Sequence, residues 1–336
     1  MAEWAPATTG GGVDGKERAR RALDAAGLPA DALTDCRPLG GGTYNTVEEL
    51  RLADGSRYVL KIPPPRTAPG LAHERDLLIG EERFCRAAAS VGVPAPGAVG
   101  PETAPPNGHL LLTYCPGISA WGDLDRAERA RLRRELGGHV ARLHTVNGPG
   151  FGYPSGALGP LAADWRTAFT TMYDALLADA RRFHAWLPRP VDDIARTART
   201  AYDTLEEVAV PRLVHFDLWD GNILVDRTAQ EPRIGGLIDG ERMFWGDPLA
   251  DFVSLALLGD IRDDADFLAG YREAGGEVEF TPAARRRLAL YRSYLYLIML
   301  IEVVPRAAGD DHVTWVREAV SPQLEAALDE LTEGHF

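Results

Sequence analysis

The feature that most restricts how this chain can fold is a run of polar residues pinned between two short apolar pieces. From Pro211 to Asp226 the sequence reads Pro-Arg-Leu-Val-His-Phe-Asp-Leu-Trp-Asp-Gly-Asn-Ile-Leu-Val-Asp. Leu213-Val214 and Ile223-Leu224-Val225 have the length and branching of short buried strands, so His215 to Asn222 must lie on the tight loop between them. A further apolar run, Ile234 to Ile238, ends at Asp239. The chemical centre of the chain is expected here.

Asp217 and Asn222 are five apart. That is the spacing of the protein-kinase catalytic loop, where an Asp faces the substrate hydroxyl and an Asn holds a metal. Asp239 would supply the second metal carboxylate. An oxygen-only set suits Mg²⁺, which keeps several waters and binds through one or two carboxylates plus substrate phosphates. A metallohydrolase built on His215 and Asp217 is the rival reading, but the other seven histidines are scattered, with no His-x-His or His-x-x-x-His spacing to complete such a site. His215 is read as bracing the loop through a ring hydrogen bond to backbone, with Asp251 on the following helix as a second brace. Asp220, between Trp219 and Gly221, is read as a turn residue facing its own backbone. Glu241 either contacts substrate or metal-bound water, or is a solvated rim charge.

A chain of 336 residues can hold two lobes with real cores, and 45% hydrophobic with 25% charged residues is an ordinary globular composition. The best membrane candidate, Tyr294 to Val304, is too short and contains Glu302. Met1 to Gly12 lacks the basic start and apolar core of a signal peptide, so a cytoplasmic protein is expected. Cys36, Cys85 and Cys115 have neither pairing number nor metal spacing and are read as small core residues. A net charge of −13 argues against a nucleic-acid partner and permits a cationic substrate. The chain holds 34 Arg but two Lys, so a retained Lys calls for a reason, because ammonium and guanidinium differ at a phosphate. Lys16 lies in a polar N-terminal segment; Lys61 does not.

Residues 1 to 15 are expected to be disordered, followed by a helix from Glu17 to Ala26 closed by Gly27. From Arg37 the pattern reads strand, glycine loop (Gly40, Gly41, Gly42), strand, the Asp54-Gly55 turn, and the strand Tyr58 to Ile62. Glycines there let backbone N–H groups approach phosphate oxygens, with Thr43, Asn45 and Thr46 beside them to touch phosphate or cap the turn. His73 to Ala89 reads as a helix that turns Glu81 inward, where it needs a partner. Lys61 is the natural one, with Glu82 as the rival carboxylate and Glu74 a solvated first-turn charge. His109 to Tyr114 should be the last strand of the first lobe. Thr113, Tyr114 and Cys115 then fit a hinge whose backbone reads an adenine edge.

The remainder reads as helices: Asp125 to Val146, Leu161 to Leu187, Val191 to Val208, Leu249 to Leu258, Phe267 to Ala274, Pro282 to Val303 and Val313 to Leu331. His144, at the end of the first, is read as a core histidine bonded to backbone.

His215 to Asn222, Ile238-Asp239 and Gly246-Asp247-Pro248-Leu249-Ala250-Asp251 together resemble the His-x-Asp-x-x-x-x-Asn, Ile-Asp and Gly-Asp-Pro-x-x-Asp elements of the aminoglycoside phosphotransferase family, in the family's order, over about residues 36 to 258. The resemblance implies an α+β, protein-kinase-like fold of two lobes. Residues 16–115 would form a small antiparallel sheet with one helix, and residues 116–336 a larger helical lobe. It further implies transfer of the γ-phosphoryl of ATP or GTP, with Mg²⁺, to a hydroxyl of a small molecule. Asp217 would act as base, Asn222 and Asp239 as metal ligands, and Lys61 with Glu81 as the phosphate-holding pair. Antibiotics, with resistance as the role, come first among acceptors, namely aminoglycosides, macrolides, and nucleoside or peptide types. Metabolites such as fructosamines, choline or homoserine follow, and a nucleotide-binding regulator without transfer activity is the other alternative. A monomer and a homodimer are equally compatible. Two departures stand out: Phe216 where a small residue, often Gly, is usual, and Gly240 in place of a bulky residue. Both are expected near the substrate.

Overall fold

Alternation along the first strands decides which side chains meet one helix and which meet the other. The computed structural model describes residues 13–40, 44–100, 108–228 and 230–333. In it β1 (Leu33–Pro38), β2 (Thr46–Leu52), β3 (Arg57–Ile62), β4 (Ala98–Val99) and β5 (Leu110–Thr113) form one antiparallel sheet in the order β1-β2-β3-β5-β4. Successive side chains point to opposite faces. Leu50, Leu52, Leu60 and Leu111 therefore share one face, and there they pack on Ala19, Ala22 and Leu23 of α1 (Val13–Ala25). Val59, Leu110 and Leu112 share the other face with Lys61 and join the core under α2 (Leu77–Ser90).

This corrects two expectations. The sheet carries two helices rather than one, and residues 13–15 belong to the first of them; residues 1–12 of the expected tail lie outside the described residues. The small side chains of α1 recur at helical spacing and bury a stripe, which holds the segment in place. The second helix begins at Leu77 rather than His73. Ala72–Glu74 form a 3₁₀ turn and Asp76 is left-handed at φ 59°, a conformation that ends a helical run.

The larger part contains α3 (Arg126–Leu143), α4 (Trp165–Arg182), α5 (Val191–Arg199), α6 (Asp251–Leu255), α7 (Ala265–Glu273), α8 (Pro282–Glu302), α9 (Asp310–Ala319) and α10 (Ser321–Glu333). Two short antiparallel ribbons carry its loops: β6 (Arg212–Val214) with β9 (Phe244–Gly246), and β7 (Ile223–Asp226) with β8 (Arg233–Leu237). Asp125 caps α3, accepting from Glu128 N while Glu128 answers to Asp125 N. α3 crosses α7 at Gly137 and Gly270, and a Cβ on Gly270 would stand 1.9 Å from Arg134 O. The single helix expected over Val313 to Leu331 is two, divided before Pro322, whose missing N–H and ring oppose continuation. The helix expected to run from Val191 to Val208 ends at Arg199 and continues as the 3₁₀ turn Tyr202–Glu207. Among the described residues no helix is long and apolar enough to cross a membrane.

Glu49 on β2 is fully buried and pairs with Arg37, Arg57 and Arg51 at 2.6, 2.6 and 2.9 Å. Burial alone would raise its carboxyl, but hydrogen bonds from Arg57, Arg37 and Arg51 hold it at about 2. The folded value lies below the unfolded one. The contribution to stability is thus complete above the ordinary value of 4.5 and is lost as pH falls toward about 2. Glu49→Gln should lower the melting temperature by roughly 5 °C at pH 7, with the gap to wild type closing between those two pH values. Thermal melts across the acid range check this, and a gap independent of pH would contradict it.

Candidate active site

Lys61 reaches from β3 toward α2 and is 5% exposed. Its ammonium donates to Glu81 Oε2 at 2.7 Å and to Asp239 Oδ1 at 2.5 Å, and lies 3.8 Å from Glu241 Oε2. Burial would depress the amine, but Glu81, then Asp239 and Glu241, hold it well above its ordinary value, so it stays charged. Glu81 is wholly buried, whereas the rival Glu82 binds Arg86 one turn along. Three carboxyl groups surround one ammonium: burial pushes Glu81 up to about 8 and raises Glu241, whereas Lys61 holds the Asp239 carboxyl below its ordinary value.

The polar loop follows β6. His215 is buried, with Nε2 donating to Ile238 O at 3.0 Å and Nδ1 accepting from Asp217 N at 3.2 Å. That arrangement suits a neutral ring, and burial pulls its pKa down. Asp251 at the start of α6 accepts from His215 N and Phe216 N at 3.2 and 2.7 Å, and Ser254 Oγ accepts from Leu218 N. Asn222 Nδ2 donates to Asp217 O at 2.8 Å, which leaves its carbonyl oxygen for a cation. Asp239, left-handed at φ 59°, carries the remaining oxygen donor beside Lys61. Burial raises the Asp217 carboxyl, and the charge of Arg242 opposes that rise.

Several expectations change here. Phe216 does not face a substrate. It has φ 64°, which explains why a residue without a Cβ suits the position, and its ring is fully buried against Phe244 and Tyr294 at 5.0 and 5.7 Å. Gly240 does not either: a Cβ there would stand 2.2 Å from the Phe84 ring of α2. Gly80 on α2 meets the same segment, its added Cβ 2.8 Å from Glu241 O. The paired glycines let the helix that carries Glu81 close onto the chain that carries Asp239.

His144 hydrogen-bonds side chains rather than backbone, its Nε2 2.9 Å from Asp251 and its Nδ1 2.8 Å from the Tyr271 hydroxyl. Asp220 faces Arg129 and Arg133 at 3.7 and 3.8 Å instead of its own backbone. Glu241 is no rim charge, since it accepts from Asn45 Nδ2 at 2.5 Å. Glu74 is buried, not solvated, and accepts from Leu71 N and Arg306. Arg306 continues to Glu302, and Glu302 to Arg242, so a buried ionic chain runs from the segment before α2 toward Asp217.

At the hinge, Thr113 stands opposite Tyr58 on the α1 face and accepts from Gly97 N, so its side chain is turned away from the cleft. Thr113 N and Tyr114 N donate to Gly97 O and Arg57 O, and the Arg57 guanidinium lies 3.4 Å over the Tyr114 ring. Cys115 N–H makes no hydrogen bond among the described residues. Cys85 is buried, whereas Cys36 and Cys115 are only half-buried. Gly40 is exposed at the end of β1; Gly41, Gly42 and Thr43 lie outside the described residues. Trp219, two residues after Asp217, went unread in the sequence. It is 45% exposed, and Gly221 must lack a side chain because a Cβ would stand 2.2 Å from its ring.

Residues 35–291 match the model of the phosphotransferase enzyme family (APH). The chain belongs to that family, and it is a small-molecule kinase. It is 26% identical over 285 residues to the probable ketoamine kinase of Lactiplantibacillus plantarum, spanning 82% of this chain and 91% of that protein. A candidate fructosamine-3-kinase from Thermobifida fusca YX-ER1 superposes with a TM-score of 0.65 at 21% identity, over 94% of this chain and 99% of the other. A thermostable mutant of aminoglycoside phosphotransferase APH(4)-Ia, in ternary complex with AMP-PNP and hygromycin B, gives 0.60 at 18% identity over 95% and 99%. These structures share the two-lobed kinase-like fold.

Gly240→Ala should press Phe84 and α2 outward, costing about 1–3 kcal/mol of stability and raising KM for ATP as Glu81 draws away from Lys61. Thermal unfolding and nucleotide kinetics on the variant check this. Unchanged values in both would mean that the close approach of α2 has no role.

Proposed function

We propose that this kinase transfers the γ-phosphoryl group of Mg²⁺–ATP to a hydroxyl of a ketoamine, a sugar carried on an amine. The observation that carries the acceptor is the Lactiplantibacillus plantarum relative, matched across most of both chains and described as a probable ketoamine kinase. It favours the metabolite acceptors over the antibiotics that the sequence put first. Trp219 supports the same choice, because an exposed, braced indole beside Asp217 offers a flat apolar face to the C–H side of a sugar. Nucleotide use is supported by the AMP-PNP and ADP complexes of fold neighbours.

In this reading Asn222 and Asp239 would hold Mg²⁺, which when bound supplies positive charge at the phosphate oxygens. Lys61 binds the phosphates, and Glu81 keeps its ammonium aimed. The backbone at Cys115 meets the base. Asp217 orients the acceptor hydroxyl and takes its proton as the acceptor oxygen bonds to the γ-phosphorus and the bond to the β,γ-bridging oxygen breaks, releasing ADP. Position and charge carry most of the catalysis, since the transferring group passes through a loose transition state. Asp251 acts on the loop backbone and holds Asp217 in register.

Asp217→Asn should leave nucleotide affinity near wild type while turnover falls by roughly 10²–10⁴-fold, whereas Asp239→Ala should weaken binding of Mg²⁺–ATP itself. Calorimetric nucleotide titration beside a product assay separates the two, and loss of nucleotide binding in Asp217→Asn with full turnover in Asp239→Ala would reverse the roles. ATP consumption measured on a ketoamine and on a panel of aminoglycosides and macrolides tests the acceptor. Turnover confined to the antibiotics would overturn the ketoamine reading.

A further inference from the structure

The Lys61 ammonium is already crowded with oxygen. Glu81 Oε1 and Oε2 lie 2.6 and 2.7 Å from it, Asp239 Oδ1 lies at 2.5 Å, and the residue is buried. An ammonium has three donors and no acceptor, so a phosphate oxygen that binds Lys61 must displace a carboxyl group. Exposure decides which one. The Glu81 side chain is 1% exposed, and Gly80 beside it already packs against Glu241 O, whereas the Asp239 side chain is 38% exposed. Asp239 is the partner that can leave.

Asp239 is also the carboxylate assigned to the metal. Among the described residues Lys61 is the one hydrogen-bond donor to it. A divalent ion arriving alone would find an ammonium 2.5 Å from its ligand oxygen, and like charges that close repel even at the dielectric of water. A nucleotide arriving alone would draw Lys61 onto its phosphates and leave the Asp239 carboxylate unpaired beside further negative charge. Arriving together, the two exchange partner for partner: phosphate takes the ammonium and the metal takes the carboxylate. Among the described residues no three His, Cys, Asp or Glu side chains are grouped to hold an ion by themselves, which accords with a metal that comes only with phosphates.

We infer that Lys61 is a placeholder for the metal: in the nucleotide-free protein its ammonium occupies Asp239, so that a bare divalent cation and a metal-free nucleotide both bind weakly and the two are admitted as a pair. The inference rests on the proposed metal role of Asp239 and adds a control over when that carboxylate becomes available.

The test uses Mn²⁺, whose free fraction is read from its paramagnetic resonance signal. Lys61→Met, which keeps the length of the side chain and removes the charge, should bind Mn²⁺ without nucleotide about tenfold or more tightly than wild type. A merely structural lysine would lose metal affinity on removal rather than gain it. Adding Asp239→Asn to Lys61→Met should abolish the gain, which locates the ion. Mn²⁺ should also raise the melting temperature of Lys61→Met and leave that of nucleotide-free wild type unchanged. In wild type, calorimetry should find ADP bound about tenfold or more tightly with Mn²⁺ than with chelator. Equal Mn²⁺ affinity in wild type and Lys61→Met, beside metal-dependent ADP binding, would overturn the placeholder while leaving the metal role of Asp239 in place. Wild type also decides without any variant, since Mn²⁺ held as tightly by nucleotide-free protein as by its ADP complex would overturn the placeholder. ADP binding indifferent to Mn²⁺ would overturn the metal role and the placeholder with it.

Discussion

The site depends on keeping one ammonium charged inside protein. Lys61 is nearly inaccessible, and its charge persists because Glu81 and Asp239 lie within hydrogen-bond distance with Glu241 just beyond. Removing Lys61 from such a cluster would leave the Asp239 carboxylate uncompensated among the remaining buried carboxyls. The cluster also sets geometry. It ties β3 to α2 and both to the segment after β8, and these can approach only because Gly80 and Gly240 leave room for Glu241 O and the Phe84 ring. The carboxyl groups of the cluster offer only oxygen, the donor type that suits a divalent cation carried on phosphates.

A second anchor works on backbone rather than charge. Asp251 collects the N–H groups of His215 and Phe216 and is itself held by His144, which Tyr271 steadies in turn. The loop can therefore tolerate Phe216 at a positive φ, where a bulky residue is strained. The ring's burial among Phe244 and Tyr294 offsets that strain. The reactive loop is thus held from below through the N–H groups of His215, Phe216 and Leu218.

How much of this was legible follows from how far apart the partners lie. The polar loop could be read because His215, Asp217 and Asn222 fall within eight residues between two short strands. Lys61 stood out because lysine is scarce, and Glu81 because helical period turned it inward. The buried chain through Glu74, Arg306, Glu302 and Arg242 left no such trace. Its members lie on segments separated by as many as 232 residues, and ion pairs across that distance have no local pattern. Phe216 and Gly240 were misplaced for the converse reason. They neighbour site residues in sequence, but their own positions point into the core. Asn45 was flagged for phosphate, and only the three-dimensional arrangement shows its amide donating to Glu241.

The central claim is that Lys61 serves a phosphate as a compact point charge, held by carboxylates shaped around an ammonium. The most direct measurement is steady-state kinetics of Lys61→Arg with ATP varied, beside its thermal unfolding. The account predicts a folded protein with KM for ATP raised and turnover lowered by about tenfold or more each, because the planar guanidinium cannot take up the same contacts. Wild-type kinetics in a variant that melts like wild type would contradict it.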